Sequence, residues 1–172
     1  MKKNGFTLIE LLATILILAL IMIIAVPNVM STIDKNKQDT YVEDAKKMIT
    51  LAEYKIRSDT SIPLPTSGNC IIVPLNSLDL SDFNEGPEGG SYDLENSYVL
   101  VARNGNSYLY YATIVENYDD SKRGIPLTSR NELNKENARK NVFSNDDLTI
   151  VKPTIGSNIN GYTVTNIMLN IS

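Results

Sequence analysis

At 172 residues the chain has room for one compact domain plus a long anchoring element, but not for two full-sized domains. Hydrophobic residues make up 42% of it and gather at the N-terminus, which separates an anchor from a polar remainder rich in Asn, Ser and Asp. A formal net charge of -4 argues against non-specific nucleic-acid binding, and the complete lack of His removes Ser-His and Cys-His pairs and most zinc sites.

Residues 1–5, Met-Lys-Lys-Asn-Gly, form a short basic leader. From Phe6 to Val29 the chain is apolar apart from Thr7, Glu10, Thr14, Pro27 and Asn28. As a helix rising about 1.5 Å per residue, this stretch is long enough to cross a hydrocarbon core of roughly 30 Å. Lys2 and Lys3 ahead of it place the N-terminus in the cytoplasm and the chain beyond Pro27 outside. A secretory signal peptide would have a shorter apolar core followed by a small-residue cleavage site, and neither is present. A carboxylate inside a span costs about 2.5 to 3.5 kcal/mol at the helix centre, so Glu10 calls for a partner even near the helix start. Cleavage after Gly5 would create one: the new α-amino group on Phe6 lies about one helical turn from Glu10.

Lys2-Lys3-Asn4-Gly5 followed by Phe6-Thr7-Leu8-Ile9-Glu10 resembles the prepilin peptidase site of type IV pilins and type II secretion pseudopilins. The resemblance implies cleavage between Gly5 and Phe6, N-methylation of Phe6, and pairing of Glu10 with the Phe6 amine of a neighbouring subunit during assembly. Pro27 matches a helix-bending proline of that family, whereas Ala19 stands where many members carry a helix-loosening Gly.

Past Pro27 an amphipathic helix is expected through residue 58, with Met30, Ile33, Tyr41, Ala45, Met48, Ala52 and Ile56 as a stripe that can bury itself. Lys35, Lys46, Lys47, Lys55 and Arg57 mark its solvated side, and Ile62-Pro63-Leu64-Pro65 stops it. Residues 60–96 read mainly as loop, with a short apolar run at Ile71 to Val73 and a glycine-rich turn from Gly86 to Gly90. Cys70, the one cysteine, reads as a small buried apolar residue. Tyr98 to Arg103 and Tyr108 to Glu116 are strand-like runs joined by Asn104-Gly105-Asn106, a hairpin signal, and the tyrosines there suit sheet packing. Ser129 and Glu132 have capping-box spacing ahead of a short polar helix reaching Val142. Thr149 to Val151 and Tyr162 to Ile171 read as closing strands, with Asn160-Gly161 as the turn before the last.

These elements predict an α+β fold: a long N-terminal helix, hydrophobic in its first half and amphipathic in its second, packed on a small antiparallel sheet. The divisions are a leader at 1–5, a transmembrane and assembly helix at 6–29, its amphipathic continuation at 30–58, and a globular head at 59–172. A pilin head has the same layout, and Gly89-Gly90-Ser91-Tyr92-Asp93 ahead of the hairpin resembles heads of pilins from Gram-positive, clostridial-type bacteria.

Other chemistry finds little support. Asp82 to Gly86 begins like a calcium loop, but its glycine comes one position early and no Glu closes it. Leu64-Pro65-Thr66-Ser67-Gly68 resembles a sortase signal but lies far from a C-terminal apolar tail, and no phosphate-cradling glycine motif occurs. Asp119 and Asp120 read as a solvated turn more readily than as hydrolytic acids. The expectation is therefore no enzyme, no cofactor and no metal. The resemblance implies a major or minor pilin of a type IV pilus-like filament, with prepilin peptidase, the pilus assembly platform, the membrane and other pilins as partners. It implies a single-pass membrane protein with an extracellular head before assembly, and a place in a surface pilus afterwards. A type II secretion or competence pseudopilin is the first alternative; a signal-anchored extracellular binding domain, which has no need of Gly5, Phe6 or Glu10, is the second.

Overall fold

The computed structural model describes residues 6–168, in two compact units that meet between Asn36 and Lys37. One helix, α1 (Leu8–Ser58), runs through both. It passes through Pro27, which has no N–H to offer the carbonyl one turn back, and the Asn28 side-chain amide bonds Ile24 O at 3.0 Å in the same turn. Every residue from Phe6 to Ile33 is exposed. The expected buried stripe is accordingly corrected at its start: Met30 and Ile33 face solvent, and burial begins at Tyr41, continuing through Val42, Ala45, Met48, Ile49, Ala52 and Ile56. The helix ends at Ser58, ahead of the prolines, where Asp59 accepts the Ser61 N–H and hydroxyl and turns the chain.

In the second unit the helix from Lys37 onward packs against a sheet made of β1 (Asn69–Pro74), β2 (Ser91–Tyr92), β3 (Tyr98–Asn104), β4 (Ser107–Tyr118), β5 (Ser121–Ser129), β6 (Phe143–Ser144), β7 (Asn158–Ile159) and β8 (Tyr162–Ile167). The order is β6-β5-β4-β3-β1-β8-β7, with β2 on β4; every pairing is antiparallel except β1 with β8. Alternation sorts each strand between two faces. Ile71, Val73, Val99, Val101, Ala112, Ile114 and Ile125 meet the helix, whereas Cys70, Ile72, Tyr98, Leu100 and Ala102 meet Ile159 and Val164 on the other side. Burial pushes the Cys70 thiol up to about 11, as suits a residue that acts as an apolar filler.

The α+β layout and the β3–β4 hairpin are as expected, and three strand assignments differ. Ile71 to Val73 is no loop excursion but the middle of β1, buried between β3 and β8; a strand covered on both faces shows a continuous apolar run instead of alternation. The strand β5 was not expected, because Gly124 and Pro126 interrupt its pattern. Gly124 is required there: a Cβ would overlap the Ile114 carbonyl, next to the register shift between Ala112 and Ile114. Pro126 falls beyond Arg123–Gly124, where pairing with β6 stops, so its missing N–H faces an open edge. Thr149 to Val151 forms no strand; it is a covering loop whose Val151 carbonyl accepts the Tyr98 hydroxyl at 2.9 Å. The end of the expected closing strand, past Met168, lies outside the described residues. Ser129 does cap a helix, accepting the Glu132 N–H at 3.2 Å, but α2 (Arg130–Leu133) lasts a single turn and yields to a 3-10 turn at Ala138–Asn141.

Because burial starts at Tyr41, a chain shortened to begin at Met30 is expected to be folded and monomeric without any disulfide. Circular dichroism with analytical ultracentrifugation checks this; persistent aggregation, or folding that depends on Cys70 oxidation, would contradict it.

Candidate functional site

The residues singled out at the N-terminus sit at the tip of α1. Phe6 and Thr7 precede the helix, and Phe6 is 83% exposed. Gly5, the other side of the expected cleavage point, lies outside the described residues. Thr7 is the N-cap: its hydroxyl oxygen accepts the Glu10 N–H at 3.3 Å, while the Glu10 carboxylate accepts the Thr7 N–H at 2.8 Å and the Thr7 hydroxyl at 2.9 Å. This reciprocal pair satisfies donors that a helix start otherwise leaves open, and it sets a negative charge at the positive end of the helix dipole. Thr7-Leu8-Ile9-Glu10 has capping-box spacing in the sequence, as Ser129 to Glu132 has.

The helix behind this tip is long and apolar enough to cross a membrane, and none of its apolar window is buried inside the protein. That is compatible with a membrane anchor. Residues 1–26 match the family model of the prokaryotic N-terminal methylation motif. The match supports a type IV prepilin-like protein. No curated protein and no solved structure matches it. For a prepilin-like chain the motif implies processing by prepilin peptidase and assembly with other pilins, and it points to a structural protein.

The second unit holds a further polar constellation, which the sequence alone does not show. Glu116 on β4 is fully buried. Its carboxylate accepts the Tyr41 hydroxyl at 2.5 Å, the Gly90 N–H at 2.7 Å and the Glu88 N–H at 3.1 Å. The Gly86–Gly90 turn therefore wraps a carboxylate: a Cβ on Gly86 would overlap the Glu116 side chain, so only glycine lets the turn close. The Glu88 side chain points the other way, to Lys37 at 2.7 Å and to Arg123. Burial raises the Glu88 pKa, but Lys37 and Arg123 outweigh it and hold the carboxyl below its usual value. Tyr92 donates to Asp44, whose pKa burial raises despite that bond, and burial together with the facing carboxylates pushes the Tyr41 and Tyr92 phenols far up.

These contacts tie helix residues 37–44 to the turn and to β4 and β5. The calcium-loop resemblance dissolves in the same place, since Asp82 pairs with Lys47 at 2.8 Å and Gly86 faces Glu116. No cluster that could hold a metal occurs among the described residues. The sortase-like run is a turn into β1, closed by the Asn69 N–H on Thr66 O.

Proposed function

We propose that this chain is a structural subunit, a major or minor pilin, of a type IV pilus-like filament, held in the membrane by α1 until it assembles. The observation that carries the reading is the methylation motif at the tip of a helix whose apolar surface is exposed all round. Such a surface is stable only in lipid or against similar helices. In this reading prepilin peptidase cuts between Gly5 and Phe6, Phe6 is N-methylated, Glu10 pairs with the Phe6 amine of a neighbour, and Pro27 bends the helix as bundles form. The pilus assembly platform receives the processed chain, and the head lies outside the cell before and after assembly. A pseudopilin of a secretion or competence system shares every one of these features, and recovery from surface-sheared filaments separates the two.

Mass spectrometry of the mature protein tests the processing step. Phe6, carrying one methyl group on its amine, is expected as the first residue. A mature chain beginning beyond Val26 would identify an ordinary signal peptide and end this reading.

A further inference from the structure

Charge on the second unit is sorted along β4. Around the start of that strand stand Arg57 from the last turn of α1, Arg103 from the end of β3 and Arg130 from the start of α2. The Arg103 guanidinium lies 5.6 Å from the Tyr108 ring centre, and that of Arg130 lies 4.4 Å from Tyr110. Two of these guanidiniums share the Glu53 carboxylate, which bonds Arg57 at 2.6 Å and Arg130 at 2.7 Å. Arg103 uses its Nε on the Gly105 carbonyl and makes no ion pair among the described residues, while Asp59 is turned onto Ser61. A groove of about 430 Å³, lined by Arg57 and also by Asp59, opens between Ile56 and Ile62 on one side and Tyr108 and Tyr110 on the other, and Arg103 and Arg130 stand over those two tyrosines.

The other end of β4 is acidic. Asp119 and Asp120 form the exposed β4–β5 turn, and Asp146 and Asp147 form the next turn, joined to it where the Lys122 N–H meets the Asn145 side chain at 3.1 Å. Glu85 borders the same surface beside Asp119. All five carboxylates are exposed, and none forms an ion pair among the described residues. The 12 residues of β4 separate the two ends by about 40 Å at the usual rise of a strand.

We infer that the arginine and tyrosine groove receives the Asp119–Asp120 turn of a second copy of this chain, so that heads join end to end. The inference rests on the filament reading. Heads pointing the same way along a filament present the acidic end of one to the basic end of the next. Such a contact uses two different patches, does not close on itself and extends without limit. Arginine supplies forked donors to carboxylates, and half-buried tyrosines supply rigid contact area at little entropic cost. The opposed charges set register and disfavour heads stacked the wrong way up.

The test is charge reversal in the full chain, in cells whose parental copy is replaced. Arg103→Glu and Asp120→Lys are each expected to lower recovery in sheared surface filaments, relative to the level in membranes, by about tenfold. The double variant restores an opposite pair and is expected to return toward the parent. An unchanged membrane level for each variant reports that the head folds. Single variants that enter filaments as the parent does, or a double variant no better than the worse single, would overturn this contact while leaving the filament reading intact. A parent absent from filaments would remove both.

Discussion

Replacing Glu116 by alanine is expected to destabilise the head by about 3–5 kcal/mol, because three donors lose their acceptor at once. The loss has identifiable parts. The Tyr41 hydroxyl and the N–H groups of Glu88 and Gly90 all end on this carboxylate, and each buried donor left without an acceptor costs about 1–3 kcal/mol. The void left by the side chain adds to that. Helix residues 37–44 would also lose one of their ties to the Gly86–Gly90 turn, so the loss should spread to the neighbouring Lys37–Glu88 bridge. Glu116→Gln keeps the shape and one acceptor oxygen but turns an amide donor toward a backbone donor, and a smaller loss is expected. Urea unfolding of the chain shortened to Met30 reads both changes; at a slope of about 1–3 kcal/mol per molar, the alanine variant should lose at least about 1 M in its midpoint. An unchanged midpoint would mean that the turn closes without the carboxylate, and that the shape of Gly86 has some other cause.

What could be read from the residues, and what could not, follows from the range over which each signal acts. The processing motif is local: Gly5, Phe6 and Glu10 fall within six consecutive residues, so their spacing is visible without a fold. The β3–β4 hairpin is local too, since two β-rich runs flank Asn104-Gly105. The strand β1 is not local. Its partners Tyr98–Ala102 and Thr163–Ile167 lie far along the chain, and three apolar residues do not announce that they will be covered on both sides. In β5 the glycine and proline that hide the strand from a pattern are there because of its neighbours, β4 on one side and an ending β6 on the other. Glu116 was the hardest to see. In sequence it closes a strand-like run as one more acidic residue, and its importance comes from Tyr41, 75 positions away, and from a turn 26 to 28 positions away. The exposure of Met30 and Ile33 is a related case: a helical stripe shows which residues share a face, but not where along the helix the sheet begins.

Glu10→Leu is expected to leave a protein that is inserted and cleaved but enters filaments at about one tenth to one hundredth of the parental level. In the single chain the carboxylate is already accommodated, because the N–H and hydroxyl of Thr7 both donate to it. Removing it therefore costs the monomer little more than a helix cap, about 1 kcal/mol, and insertion into lipid becomes easier. Among packed helices the balance changes. A carboxylate enclosed by apolar side chains needs a full counter-charge, and in the proposed reading the Phe6 amine of an adjacent subunit, a cation at neutral pH, would supply it. That pairing would fix the register between subunits, so a leucine helix can pack but has no reason to stop at one offset. Glu10→Gln separates the two roles of this residue. Glutamine at the third helical position still caps Thr7 but carries no charge. If the counter-charge is what assembly needs, Gln fails as Leu does; if capping alone is needed, Gln assembles normally and Leu does not. The measurement is recovery of each variant in sheared filaments relative to its amount in membranes, with mass spectrometry confirming cleavage before Phe6. Leucine recovered at the parental level would show that this carboxylate is not the assembly element.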